Sequence, residues 1–220
     1  MAAQTVSQQT AIEQNKAGLA FYDTWNMDKA ALAFQQAIQA DPTNADYRLN
    51  LARAYARGGD YHQAVETIGE YLHYETSDAI AARFESLFSL ALDDVEQILI
   101  QTMREMDLSI QQIGKGIQMW LEYRIALGRK TLRIPKPELW AAAITYAILK
   151  VNLVDVTREK ISKTFDVRKR PLREKYKELV QTLDLMPADY RYFTEGENPL
   201  DKLVEAAQML EELDRQFQEY

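Results

Sequence analysis

A chain of 220 residues and 25.4 kDa, 47% hydrophobic and 27% charged, has the composition of a folded protein and the length of one large domain or two small ones. The absence of cysteine excludes disulfides, thiolate metal sites and thiol nucleophiles, and with 8 Gly and 6 Pro, turn-rich β architectures and glycine-rich phosphate loops are poorly supplied. The net charge of −7 conceals an asymmetry: residues 129–178 hold 14 of the 26 Lys and Arg against 6 Asp and Glu, so the rest of the chain sums to −15. Such a field suits either a polyanionic partner or the docking of a basic module on an acidic one.

Residues 1–10 are polar, with no signal-like basic and apolar stretches, and no uncharged apolar run approaches the roughly 18 residues of a membrane span. The expectation is a cytoplasmic, all-helical protein without membrane contact. Residues 11–78 then repeat themselves. Gly18, Phe21, Ala30, Phe34 and Ala37 meet Ala52, Tyr55, Ala64, Ile68 and Tyr71 at a spacing of 34, the period of a two-helix hairpin. The small residues at 18, 30, 52 and 64 let paired helices approach, while Phe21, Phe34, Tyr55 and Ile68 fill the holes between hairpins. Gly58-Gly59-Asp60-Tyr61 reads as the turn inside the second hairpin. Two hairpins leave one end open, and Ala79 to Leu92 has the apolar pattern of a capping helix.

This unit, with its closing Pro42, resembles the tetratricopeptide repeat. The resemblance implies that the inner face of each hairpin's first helix grips a peptide, which here selects Asn15, Leu19, Tyr22, Leu49, Arg53 and Arg57, flanked by Ile12, Asp23 and Asp46. A partner protein or peptide is one expectation; an array that docks only against its own chain is the other.

Residues 79–193 carry candidate helices at 80–106, 109–127, 137–152, 157–165 and 169–184. The run from Pro137 is apolar around nearly its whole circumference, as a central buried helix must be. Thr157 offers an N-cap, Asp166 a residue tolerant of left-handed backbone, and Leu172, Tyr176, Leu179, Val180 and Leu183 an inward stripe on the last helix. Residues 157–184 thus have the layout of a helix-turn-helix, with nine basic against four acidic groups over 157–178. Arg168, Lys169, Arg170, Arg173 and Lys177 are the candidates for phosphate or groove contact with nucleic acid. Docking of the same helix on an acidic protein surface is the alternative.

The runs Trp140 to Ala147, Val156 to Val167 and Leu172 to Leu179 resemble the cyclin-box repeat of archaeal transcription factor B and eukaryotic transcription factor IIB, and Lys136 to Ala142 also resembles an uncharacterised bacterial domain. The cyclin-box likeness implies a five-helix bundle whose helix-turn-helix meets DNA. One such unit is present, no zinc ribbon accompanies it, and Pro171 stands where that family has a small polar residue.

No catalytic constellation, metal site or cofactor site emerges, so the expectation is a non-enzymatic adaptor or regulator. His62 and His73 lack metal-site spacing. Asp93, Asp94 and Glu96 read as acid at a helix start, and Gly114-Lys115-Gly116 as close helix packing. After the break at Gly196 to Pro199, residues 199–220 read as an amphipathic helix with Leu200, Leu203, Val204, Ala207, Leu210, Leu213 and Phe217 on one side, packing back on the chain or pairing two copies as a homodimer.

Overall fold

A computed structural model describes residues 2–89 and 92–194. Those residues form helices α1 (Ala2–Asp23), α2 (Met27–Ala40), α3 (Ala45–Gly58), α4 (Tyr61–Leu72), α5 (Asp78–Glu85), α6 (Asp94–Glu105), α7 (Ile110–Ala126), α8 (Pro137–Val151), α9 (Arg158–Thr164) and α10 (Lys169–Leu183), with a 3-10 turn at Ser86–Phe88 and no strand among them. The expected C-terminal helix at 199–220, and the dimer built on it, lie outside the described residues. No described helix is long and apolar enough to cross a membrane.

The chain divides into two compact units. The first is Met1–Asp93 with Trp120–Pro135; the second is Asp94–Met119 with Lys136–Tyr220. This differs from the expected boundary at residue 78, because the capping region and the end of α7 belong with the hairpins rather than with the chain that follows.

In the first unit, α1 pairs with α2 and α3 with α4. Gly18 shows why a small residue recurs: a Cβ there would lie 2.5 Å from the Phe34 ring, which is itself fully buried. Phe34 packs with Tyr22, Ala30, Leu51 and Ala54, and Tyr55 lies against both this cluster and the next, where Ala52, Ala64, Ile68, Tyr71 and Phe84 are buried. Helix ends follow local chemistry: the side chains of Asn26, Asn44 and Asp60 accept from the main-chain N–H groups of Lys29, Asp46 and Gln63. Gly59 closes α3 with φ +87°, a conformation that suits glycine.

The expected helix at 80–106 is two helices. α5 stops at Glu85 because the chain tightens into the 3-10 turn, where the Ser86 hydroxyl donates to the Arg83 carbonyl at 2.7 Å and competes with helical continuation. Asp94 and Glu96 then occupy the first turn of α6, where carboxylates favour the positive end of a new helix. The cap of the hairpins is therefore shorter than Ala79 to Leu92. Behind it, Ile125 from the end of α7 is fully buried in the α3, α4 and α5 cluster, with Leu121 packed beside it. Trp120 Nε1 donates to Asp93 at 2.8 Å, and Arg124 reaches both Asp93 (3.1 Å) and the Ser86 hydroxyl (2.6 Å).

In the second unit, α8 is the hub. Every residue from Trp140 to Leu149 is buried, as the all-round apolar sequence requires. α6 and α10 pack on α8, and Gly116 allows α7 close approach, a Cβ there meeting Leu99 at 3.0 Å and Ile144 at 3.7 Å. Gly114 faces open space, so only the second glycine serves packing. α9 and α10 join through Asp166 at φ 48°, where Ser162 Oγ donates to the Val167 carbonyl and Val167 N–H returns to the Ser162 carbonyl. Asn152 is a buried polar hub: its amide donates to the carbonyls of Ile148 (2.8 Å) and Tyr192 (3.1 Å), and its oxygen accepts from Thr194 N–H (2.7 Å) and hydroxyl (2.9 Å). Beyond α10, Tyr192 is core while Tyr190 is exposed.

Candidate functional site

The repeat frame places the same register of α1 and α3 side by side, and in the structure their facing side chains line a groove of about 560 Å³ within the first unit. Asn15 and Leu19 come from α1; Asp46, Leu49, Asn50 and Arg53 come from α3. The third wall is Ala126 to Lys130, the end of α7 and the turn that follows. Four of the six expected peptide contacts, Asn15, Leu19, Leu49 and Arg53, meet in this groove.

The other two, Tyr22 and Arg57, do not line it. Tyr22 is buried in the first hairpin core with Arg53 and Arg57 over its ring at 5.1 and 4.6 Å, and Arg57 also lies 3.9 Å over the Trp25 ring. Their connection to the groove runs through Arg53, which Tyr22 supports from behind. Arg53 Nη1 donates to Asn50 Oδ1 at 3.1 Å, and Asn50 Nδ2 donates to Asn15 Oδ1 at 3.0 Å, so three groove side chains form one oriented chain of hydrogen bonds.

The turn after α7 is pinned from several sides. Arg129 makes a bidentate pair with Glu75, at 2.7 and 3.0 Å, and reaches Asp46 at 3.1 Å. Arg83 donates to the carbonyls of Gly128 and of Lys130, the latter at 2.7 Å. Gly128 takes φ +56° with its Cα side toward Leu49. Burial would raise the Glu75 carboxyl pKa, but the hydrogen bond from Arg129 and the N–H of Ser77 outweigh it and hold the group below its ordinary range. The hydroxyl of Tyr71 also donates to Glu75. The same pairing raises the Arg129 pKa. For Arg83, burial and the neighbouring Arg124 lower it.

Repeat periodicity finds the α1 and α3 contributions but is blind to this turn, which lies more than seventy residues beyond Leu49 and outside any repeat. The only trace in the sequence is a glycine followed by two basic residues, which reads as an ordinary helix end.

On α10, Lys169 pairs with Glu159 at 3.1 Å and Arg170 with Glu174 at 3.2 Å. Arg168, Arg173 and Lys177 are exposed. Lys163 shares Glu159 at 3.6 Å, and that carboxyl is held low by Lys169 first and Lys163 after it. His62 pairs with Glu66 at 3.3 Å on an exposed helix surface. Among the described residues no group of three or more His, Asp or Glu is placed to hold a metal ion.

Residues 26–86 match the protein-family model described as Tetratricopeptide repeat. The matched stretch runs from the start of α2 through α5, so the hairpin repeat and the short cap carry the likeness. No curated protein and no solved structure gives a significant match to the chain. A tetratricopeptide stretch points to protein–protein interaction.

Proposed function

We propose that this chain is a non-enzymatic adaptor that holds a short segment of a partner protein in the groove between α1, α3 and the Ala126 to Lys130 turn. The observation that carries this reading is the convergence of Asn15, Leu19, Leu49 and Arg53 on one open groove. Half-buried Leu19 supplies apolar contact over the buried Leu49, while the amides of Asn15 and Asn50 can pair with the main chain of an extended segment. Selection of a displayed random decapeptide library on the full chain tests it. Enriched peptides are expected to lose about tenfold or more in affinity on Leu19→Gln, at a half-buried groove position, a loss of about 1.4 kcal/mol; peptides that bind parent and variant alike place recognition elsewhere.

A second reading concerns α9 and α10. Arg168, Arg173 and Lys177 project from an exposed face, and the left-handed Asp166 gives the tight turn that helix-turn-helix readers use, which supports contact with nucleic acid through a cyclin-like unit. The intramolecular pairs of Lys169 and Arg170 with Glu159 and Glu174 reduce that face's charge, which leaves docking on an acidic protein as the competing use. Fluorescence anisotropy with mixed-sequence duplex DNA at about 50 and about 200 mM salt separates the two. Salt-sensitive binding abolished by the Arg168→Glu/Arg173→Glu/Lys177→Glu variant supports the nucleic-acid reading, and no binding at micromolar protein and low salt removes it.

A further inference from the structure

The charges around the groove are not balanced, and the imbalance says what the partner segment carries. Four ionisable side chains line it: Asp46, Arg53, Arg129 and Lys130. Asp46 is already matched by Arg129 at 3.1 Å, and Arg129 spends its other donors on Glu75. Arg53 stacks on Tyr22 and donates to Asn50, and no carboxylate pairs with it among the described residues. A guanidinium held in place by a ring and an amide, with no counter-charge beside it, is organised for an anion that arrives from outside. Lys130 lies exposed on the opposite wall, on a turn fixed by Arg83 and Arg129.

Resting on the groove reading above, we propose that the groove selects a segment with an anionic side chain, carboxylate or phosphate, read by Arg53 with Lys130 as the second cation, beside an apolar residue seated on Leu19. A basic segment would place like charge against both cations, and a neutral one would leave Arg53 and Lys130 without a counter-charge. Lys130 depends on the pinned turn for its position, so Arg129, from outside the repeats, sets selectivity through its pairing with Glu75 and Asp46.

The test uses the full chain and four decapeptide pools, randomised except for one central position fixed as Glu, phosphoserine, Ser or Lys. Retention of the Glu pool, the phosphoserine pool or both is expected to exceed that of the Ser pool by about tenfold, with the Lys pool below it. The difference should shrink in Arg53→Gln and in Lys130→Glu, the latter on an exposed turn where folding is not at stake. Retention of Glu over phosphoserine identifies a carboxylate ligand, and the reverse a phosphorylated one. Equal retention of the Ser and anionic pools, with binding still lost in Leu19→Gln, overturns the anion inference and leaves the groove reading standing. Retention that Leu19→Gln does not reduce, or no retention of any pool, overturns both.

Discussion

At the scale of single residues, this fold turns on a few positions where one atom decides the outcome. Gly18→Ala drives a methyl group into the fully buried Phe34 ring at 2.5 Å, so the ring or the helix must shift. A loss of about 1–3 kcal/mol is expected, read as a lower midpoint in urea unfolding, whereas Gly114→Ala, which faces open space, should leave stability unchanged or raise it. Equal midpoints for the two variants would mean that hairpin contact is not what fixes Gly18. Glu75 makes a second residue-scale prediction. Its folded-state pKa is depressed, so its ion pair with Arg129 contributes fully at neutral pH and fades as acid is added below about 4.5, the ordinary carboxyl value. Glu75→Gln should therefore destabilise at pH 7, and the difference from the parent should narrow between about pH 4.5 and lower values. A difference that stays constant down to pH 3 would show that the carboxylate charge is not what holds the turn.

At the scale of helices, legibility followed periodicity. The bounds of α8, α9 and α10 match the sequence reading to within a residue or two, because Pro137, Thr157 and Asp166 mark ends by chemistry that no tertiary contact overrides. The stretch 80–106 was harder. Its apolar pattern continues across the break between α5 and α6, and the deciding contacts are the 3-10 turn, the Ser86 hydroxyl on Arg83 and the Asp93 pair with Trp120 and Arg124, which involve residues the pattern does not link. The groove shows the same division: Asn15, Leu19, Leu49 and Arg53 are legible from the repeat frame, while Ala126 to Lys130 come from elsewhere in the chain. Asn152, just past the end of α8, offers an element-scale prediction. Its side chain ties that helix end to Tyr192 and Thr194, and Asn152→Ala should cost about 2–3 kcal/mol by leaving buried partners unmade. Hydrogen exchange should quicken first at the amide of Thr194, which donates to Asn152; unchanged protection there would mean that the tail is held without Asn152.

At the scale of the molecule, the repeat match covers residues 26–86, yet the unit that contains it needs Trp120–Pro135 as well. Ile125 fills the core of the second hairpin and its cap, so Ile125→Ala should cost about 2–5 kcal/mol. In the full chain the loss should appear as greater protease sensitivity of α3 to α5, with sites near Ile125 alone becoming labile if the hairpins close without it. A solenoid ordinarily grows by adding its next unit in sequence, each new hairpin sealing the one before. Here the seal arrives late. During synthesis the hairpins must wait until residue 125 and the turn behind it have left the ribosome, some fifty residues after the end of α4. Through that interval Ile68, Tyr71 and Phe84 belong to an unfinished surface, and the nascent chain is then most exposed to chaperones or to the wrong partner.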